Sequence, residues 1–183
     1  MKPRRLHLVS GPSADTSAFA RVAGGDVSAL GEVYDRHAHA LVRFAASAGD
    51  AADAEDVLQA TFIKAAKLAN RYDGRADDAR AWLFGIAARV IQERRRSVVR
   101  YARALLRQGS SGRIFAPQTD RTDVERALAT LTQPKRMVVV LAEVEGFTCD
   151  EIAAMLGIPI GTVWTRLHHA RRELRHFFEE ETP

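Results

Sequence analysis

The chain has 183 residues, one cysteine, and 27 Lys and Arg against 23 Asp and Glu, for a net charge of +4. That length suits one large domain or two small ones, a single cysteine excludes an internal disulfide framework and suits a reducing cytoplasm, and no run approaches the roughly 18 apolar residues of a membrane span. A sequence pI near 9.6 suggests a polyanionic partner, although where the charge sits matters more than its sum.

Residues 1–13 combine Pro, Gly, Ser and basic side chains without periodicity and read as a disordered leader; residues 6–10 are too short and polar for a signal-peptide core. A short helix is expected over residues 15–23, ended by Gly24 and Gly25. Asp26 can cap a second helix running to about residue 46, with Leu30, Val33, Tyr34, Leu41, Phe44 and Ala45 along its apolar stripe. His37 and His39 fall within it, but two positions apart on a helix they point in different directions and make poor joint metal ligands.

A third helix is expected over residues 51–69, with Ala54, Val57, Leu58, Phe62 and Ala65 on one face. Asp50, Asp53, Glu55 and Asp56 crowd its first turns, where the helix dipole favours negative charge, and this alone is enough to account for them. An exposed Ile63 among the charges hints instead at a protein contact. Residues 70–78, NRYDGRADD, form a polar loop in which Asp77 or Asp78 caps the next helix. That helix opens with ARAWLFGIAARVIQERRR. Leu83, Ile86, Ala87 and Val90 form its buried stripe, and Trp82 and Phe84 read most simply as core anchors. Arg89, Gln92, Glu93, Arg96 and Arg100 lie opposite, a ridge continuing to Arg103 and Arg107. Glu93 is the one acid between Arg80 and Arg113, so this is more than a solvated face; arginine rows suit phosphates through charge and forked hydrogen bonds.

Residues 105–120 contain Gly109, Ser110, Ser111, Gly112 and Pro117 and read as a flexible linker. Thr122 with Glu125 makes a capping box. Thr132 and Pro134 start a helix running to about residue 145, with Met137, Val138, Leu141 and Val144 inward and Gly146 closing it. Thr148 and Glu151 then repeat the capping-box spacing before Ile152, Ala153 and Leu156; Gly157 can end that helix in the left-handed conformation, and Pro159 suits the first turn of the next. Val163, Leu167, Ala170 and Leu174 seat this last helix, leaving Trp164, Thr165, His168, His169, Arg171, Arg172 and Arg175 on the other face. Two helices, a glycine turn and a basic face describe a helix-turn-helix, whose second helix enters the DNA major groove; an αα-hairpin with a solvated face fits the same pattern. Cys149, in a first helical turn where a thiol pKa can fall, reads as a partly buried, idle cysteine.

The run EIAAMLGIPIGTV followed by RL, AR and L at their spacing resembles region 4 of bacterial extracytoplasmic-function (ECF) sigma factors of the sigma-70 family. DAEDVLQATFIKA followed by RYDGRADDARAWLFGIAARVIQERRR is similar to region 2 of the same family, in the right order and at the right separation. The resemblance implies an all-α fold of two small helical domains: a region 2 domain over 14–104 and a region 4 helix-turn-helix domain over 121–183, joined by the 105–120 linker. It implies a cytoplasmic specificity subunit of RNA polymerase that binds the core enzyme, recognises the −35 and −10 promoter elements and starts DNA melting, with no catalytic group, metal or cofactor of its own.

By position, Asp53, Glu55, Asp56 and Gln59, with Ile63 beside them, would face the clamp helices of the largest polymerase subunit, and the flap is a further implied contact. Asn70, Tyr72, Arg75 and Arg80 would hold a flipped base of the −10 element, and Arg89, Arg94, Arg95 and Arg96 would grip phosphates. Thr162, Trp164, Thr165, His168 and His169 would face the −35 element, with Arg166 and Arg171 on phosphates. The linker would thread the polymerase channel towards the RNA exit. Family members are often held inactive by an anti-sigma protein clamped over both domains, which is an implied partner here; no membrane insertion is implied.

The sequence also departs from its relatives. Trp164 stands where Lys or Arg is common, and His169 where Arg is frequent; Trp cannot reproduce the bidentate reading of guanine by Arg, so a different promoter preference is expected. Leu131-Thr132-Gln133-Pro134-Lys135 replaces the usual Leu-Pro followed by Gln-Arg. A stand-alone transcription factor explains residues 149–175 but leaves the 53–59 and 82–96 helices without a task. For a nuclease the sequence offers no paired carboxylates with a nearby base, no phosphate-cradling glycine loop and no metal-ligand spacing.

Overall fold

The computed structural model describes residues 13–74, 78–107 and 122–181. Every regular element among them is helical. Helices α1 (Ala14–Ala23), α2 (Ala29–Ala48), α3 (Ala54–Lys67) and α4 (Arg80–Arg107) form the N-terminal domain. Helices α5 (Asp123–Thr130), α6 (Gln133–Val139), α7 (Cys149–Leu156) and α8 (Ile160–Glu181) form the C-terminal one.

The N-terminal core is assembled from the periodic stripes. Val33, Leu41, Phe44, Ala45, Val57, Leu58, Phe62, Ala65, Leu83, Phe84, Ala87 and Val90 are all buried. Phe44 and Phe84 meet with ring centroids 5.0 Å apart, while Phe19, Tyr72 and Trp82 form a second aromatic group at 5.0–5.2 Å. Tyr34 is 44% exposed yet still covers the Phe62 ring at 4.9 Å.

Several boundaries differ from expectation. Asp26 does not cap α2 directly. Its carboxylate is engaged by Arg21 and by the amide and hydroxyl of Ser28, and the helix begins three residues later. The third helix is flanked by two short 3₁₀ turns, Ala51–Asp53 and Ala69–Arg71; Asp50 accepts from the Ala52 amide at the first of them. Helix α4 continues to Arg107, past the expected start of the linker at 105. Pro159 sits just ahead of α8, its carbonyl accepting from the Thr162 amide.

One local correction has wider consequences. Val144 was expected inward and is 56% exposed, whereas Glu145 is 4% exposed. A single π turn over Val140–Val144 is the cause: the Glu145 amide reaches back five residues to the Val140 carbonyl, 3.0 Å. The extra residue in that turn rotates the following positions, trading the face of Val144 for that of Glu145.

The two domains lie against each other. Helix α7 packs on α4, and α2 meets α6 and the π turn. Arg136 Nη1 of α6 donates to the Gly49 carbonyl at the end of α2, 3.2 Å.

Asp15 organises the N-terminal domain. It is 2% exposed, and the Ala79 amide donates to its Oδ2 at 2.8 Å, satisfying a free donor at the start of α4 from 64 residues away. Arg36 Nε donates to Oδ1 at 2.8 Å, and His37 Nε2 lies 2.8 Å from Oδ2. Burial pushes this carboxyl up, but the Ala79 amide, His37 and Arg36 together outweigh it and hold it below its ordinary value. A depressed folded-state pKa gives stability that is complete above the unfolded carboxyl value near ~3.9 and is lost as pH falls through the folded one. Thermal unfolding of the wild type should therefore decline on acidification below about pH 4, and Asp15→Asn should flatten that part of the profile. Asp15→Ala should cost about 3 kcal/mol in denaturant unfolding, because it leaves Arg36 and the Ala79 amide without their acceptor.

Candidate nucleic-acid interface

Three charged surfaces come from three helices. The first is acidic. On α3 the side chains of Glu55, Asp56, Gln59 and Ile63 are exposed, and Asp53 just ahead of the helix is half-buried; Ile63, one turn beyond Gln59, is 53% exposed. The opposite stripe of α3 is in the core, so the helix has no freedom to turn these groups inward.

The second surface is the ridge of α4. Arg89, Arg95, Arg96, Arg100 and Arg103 are exposed. Arg94 is not part of it: its Nη1 lies 3.4 Å from Asp53 Oδ1 and 3.3 Å from Asp56 Oδ2. The structure thus joins a residue expected on phosphate to two expected on polymerase, and this pairing subtracts one charge from the ridge. Lys64 pairs with Glu93, which removes the ridge's single acid from the balance.

The base-holding group is dispersed. Asn70 is exposed. Tyr72 is half-buried, its ring spent on Phe19 and Trp82; burial, with the Asp15 and Asp78 carboxylates nearby, pushes its hydroxyl up, so it stays protonated. Arg75 and Asp77 fall outside the described residues, whereas Asp78 accepts from the Arg80 amide at 3.0 Å. Gly74 holds the described end of this loop with φ +61°, and a Cβ there would meet Thr16 Oγ1 at 2.8 Å, so both conformation and space call for glycine. Arg80 turns away from the loop: Nη2 donates to the carbonyl and to Oε2 of Glu145, each 2.7 Å. Trp82 and Phe84 are core anchors, and Phe84 also meets Phe147 of the C-terminal domain at 5.2 Å.

The third surface is the helix-turn-helix. Both capping boxes are formed, Thr122 with Glu125 and Thr148 with Glu151, and Gly157 adopts φ 63° at the turn. Val163, Leu167 and Ala170 are buried, which fixes the outward face of α8. Trp164 is 59% exposed. Thr165 is exposed, with its hydroxyl returned to the Gly161 carbonyl at 2.8 Å. His168 is exposed and His169 half-buried, their rings 5.6 Å apart. Thr162 is half-buried at the helix start. Arg171 is bonded to Glu143. Arg166 faces a cleft of about 950 Å³ whose other wall carries Arg95, Arg96, Arg100 and Arg103.

Sequence reasoning missed Asp15, Arg43, Arg136, Glu145 and Phe147. Glu145 alone carried a signal, an acid near the end of the largely apolar run VVVLAEVEGF. Among the described residues no group of His, Cys, Asp and Glu is placed to hold a metal ion, and no helix is long and apolar enough to cross a membrane.

These surfaces lie within two recognised regions. The family model for Sigma-70 region 2 matches residues 33–101, and that for Sigma-70 region 4 matches residues 121–174. The ECF RNA polymerase sigma factor SigL of Mycobacterium tuberculosis is 36% identical, over 88% of this chain and 97% of the relative. CnrH, solved in complex with the cytosolic domain of CnrY, superposes with a TM-score of 0.67 at 28% identity, over 93% of this chain and 100% of that one. The sigma factor RpoE of Bartonella quintana, solved with the anti-sigma factor NepR, gives a TM-score of 0.70 at 26% identity, over 85% of this chain and 99% of that one. The chain belongs to the ECF RNA polymerase sigma factors. These are transcription initiation factors rather than enzymes.

Because the Trp164 side chain packs so little, Trp164→Ala should shift unfolding free energy by no more than ~0.5 kcal/mol. Trp82→Ala, which opens the aromatic group beside Phe19, should cost about 3 kcal/mol in the same measurement.

Proposed function

We propose that the chain binds core RNA polymerase through the α3 face and directs it to promoters by reading a −35 element with α8 and a −10 element with the α3–α4 loop and α4. The observation that carries this reading is the segregation of charge: an exposed acidic face with the apolar Ile63 beyond it on one helix, and basic faces on two others. A protein partner is steered and registered by complementary charge, whereas arginines on a helix face suit a phosphate backbone. On this reading Asp53, Glu55, Asp56, Gln59 and Ile63 dock on the polymerase clamp. Arg89, Arg95 and Arg96 hold phosphates near the −10 element, and Asn70, Tyr72, Arg75 and Arg80 serve the extruded base once Arg80 is freed.

Thr162, Trp164, Thr165, His168 and His169 face −35 bases, with Arg166 and Arg171 on the flanking phosphates. Trp164 offers apolar packing to a thymine methyl in place of a guanine-reading fork. The working compartment is the cytoplasm. An anti-sigma factor controls the chain, a reading supported by the similar sigma factor RpoE of Bartonella quintana, solved with the anti-sigma factor NepR.

The decisive test is transcription in vitro by core enzyme with and without this chain, with start sites sequenced; no chain-dependent starts would refute the reading. Asp56→Lys with Gln59→Lys should weaken core binding by at least about tenfold while leaving the fold intact, measured by competition with the housekeeping subunit. Arg95→Ala with Arg96→Ala should reduce the slope of log affinity against log salt by about 2. Trp164→Ala with His169→Ala should change −35 preference in a randomised-promoter selection and leave core affinity alone.

A further inference from the structure

Five arginines converge on one cleft with almost nothing to neutralise them. Arg95, Arg96, Arg100 and Arg103 of α4 line one wall and Arg166 of α8 the other, around a volume of about 950 Å³. The four on α4 are exposed and Arg166 is half-buried. Glu93 is the single acid of the lining, and it is already paired with Lys64. Arg100 donates to the Ser97 hydroxyl at 3.1 Å, but among the described residues no carboxylate pairs with any of the five. Cations gathered in a concave site raise the local potential and draw in an anion of several charges.

The rest of the lining is of a different kind. Met137 is buried, Leu156 and Ile158 are half-buried and Val99 is exposed, and all four border the same volume. Gln133 lines it too, and its Nε2 is buried with no acceptor among the described residues, a donor that a ligand oxygen or ring nitrogen can satisfy. A phosphate chain alone would use the arginines and leave these side chains idle.

We propose that the cleft binds a free nucleoside polyphosphate, with its phosphates on the arginines of both walls and its base on the apolar lining. The planar guanidinium fork matches phosphate oxygens in pairs, and a nucleoside adds a flat body with polar edges. The volume falls in the range of small-ligand sites, roughly 300–1,000 Å³. The inference goes beyond the promoter reading and does not depend on it. Arg95, Arg96 and Arg166 are the arginines assigned above to promoter phosphates, so nucleotide and DNA draw on one set of charges.

Calorimetric titration of the full chain tests this, at low salt where exposed charges are least screened, with ATP, GTP, inorganic tripolyphosphate and adenosine in turn. ATP or GTP should saturate at one per chain. Tripolyphosphate, which carries as much charge but no base, should bind at least about threefold more weakly, and adenosine should not bind. Arg100→Ala with Arg103→Ala should weaken nucleotide binding about tenfold, and so should Arg166→Ala from the opposite wall. Arg175→Ala removes an exposed arginine of α8 that is not part of the cleft, and should leave affinity within about twofold of wild type. Thermal melting checks that each variant is folded; the exposed α4 pair keeps the test readable if the half-buried Arg166 variant is not. The absence of saturable binding overturns the site. So does tripolyphosphate binding as tightly as ATP, or a loss in Arg175→Ala equal to that of the cleft variants, since either reduces the cleft to diffuse attraction for any polyanion.

Discussion

A carboxylate removed from water must have its donors waiting in fixed positions, and two such groups set the layout of this chain. Asp15 binds the start of α1 to α2 and to the first turn of α4; Glu145 binds α4 to the C-terminal domain. Each is the acceptor on which a cation and a backbone or ring system converge. A buried charge left alone costs several kcal/mol, so each fixes the placement of elements more sharply than apolar contact does. The two are unequal. Asp15 has donors on both oxygens, whereas Glu145 has them on one. The first is a permanent joint; the second has the character of a clasp.

Both joints act on α4, the helix with most demands on it. Its first turns carry Trp82, Leu83 and Phe84 into the N-terminal core and Arg80 and Gly85 towards the other domain. Further along, Arg94 returns to the acids of α3 while Arg95 and Arg96 stay on the solvent side. A helix turns about 100° per residue, so Arg94 can return to the α3 acids while Arg95 and Arg96 stay exposed. The acidic and basic surfaces are therefore coupled through Arg94, which ties Asp53 and Asp56 to the ridge. Because these ions are partly solvated, their pairing contributes little to stability and more to the orientation of the acidic face.

The recognition helix shows how a shared framework supports a private specificity. The capping box at Thr148, the left-handed Gly157 and the buried Val163, Leu167 and Ala170 fix the position of α8. None of these restrains Trp164 or His169, which stand on the far side. The framework can be kept while the reading face is rewritten, since the two sets of side chains do not touch the same surroundings. Trp164 in place of a cation exchanges a directional, charged reader for a broad apolar one, and no packing constraint explains the exchange.

What the sequence determined by itself is local in origin. Apolar spacing of three and four residues gave the longer helices among the described residues and most of their buried stripes; capping boxes and glycine turns marked helix ends; runs of one charge marked the faces. These signals act over one or two helical turns, and the family resemblance built on them was sound. The tertiary structure alone decided the rest. No local pattern pairs Asp15 with Ala79, or Arg80 with Glu145, across more than sixty residues. A single π turn, worth one residue, exchanged Val144 for Glu145 and so supplied the second pair. Tyr72 and Arg80 look like free polar readers along the chain, and in three dimensions one is committed to an aromatic group and the other to a carboxylate. Burial is a property of what folds back over a residue, and long-range neighbours, not nearby ones, set it.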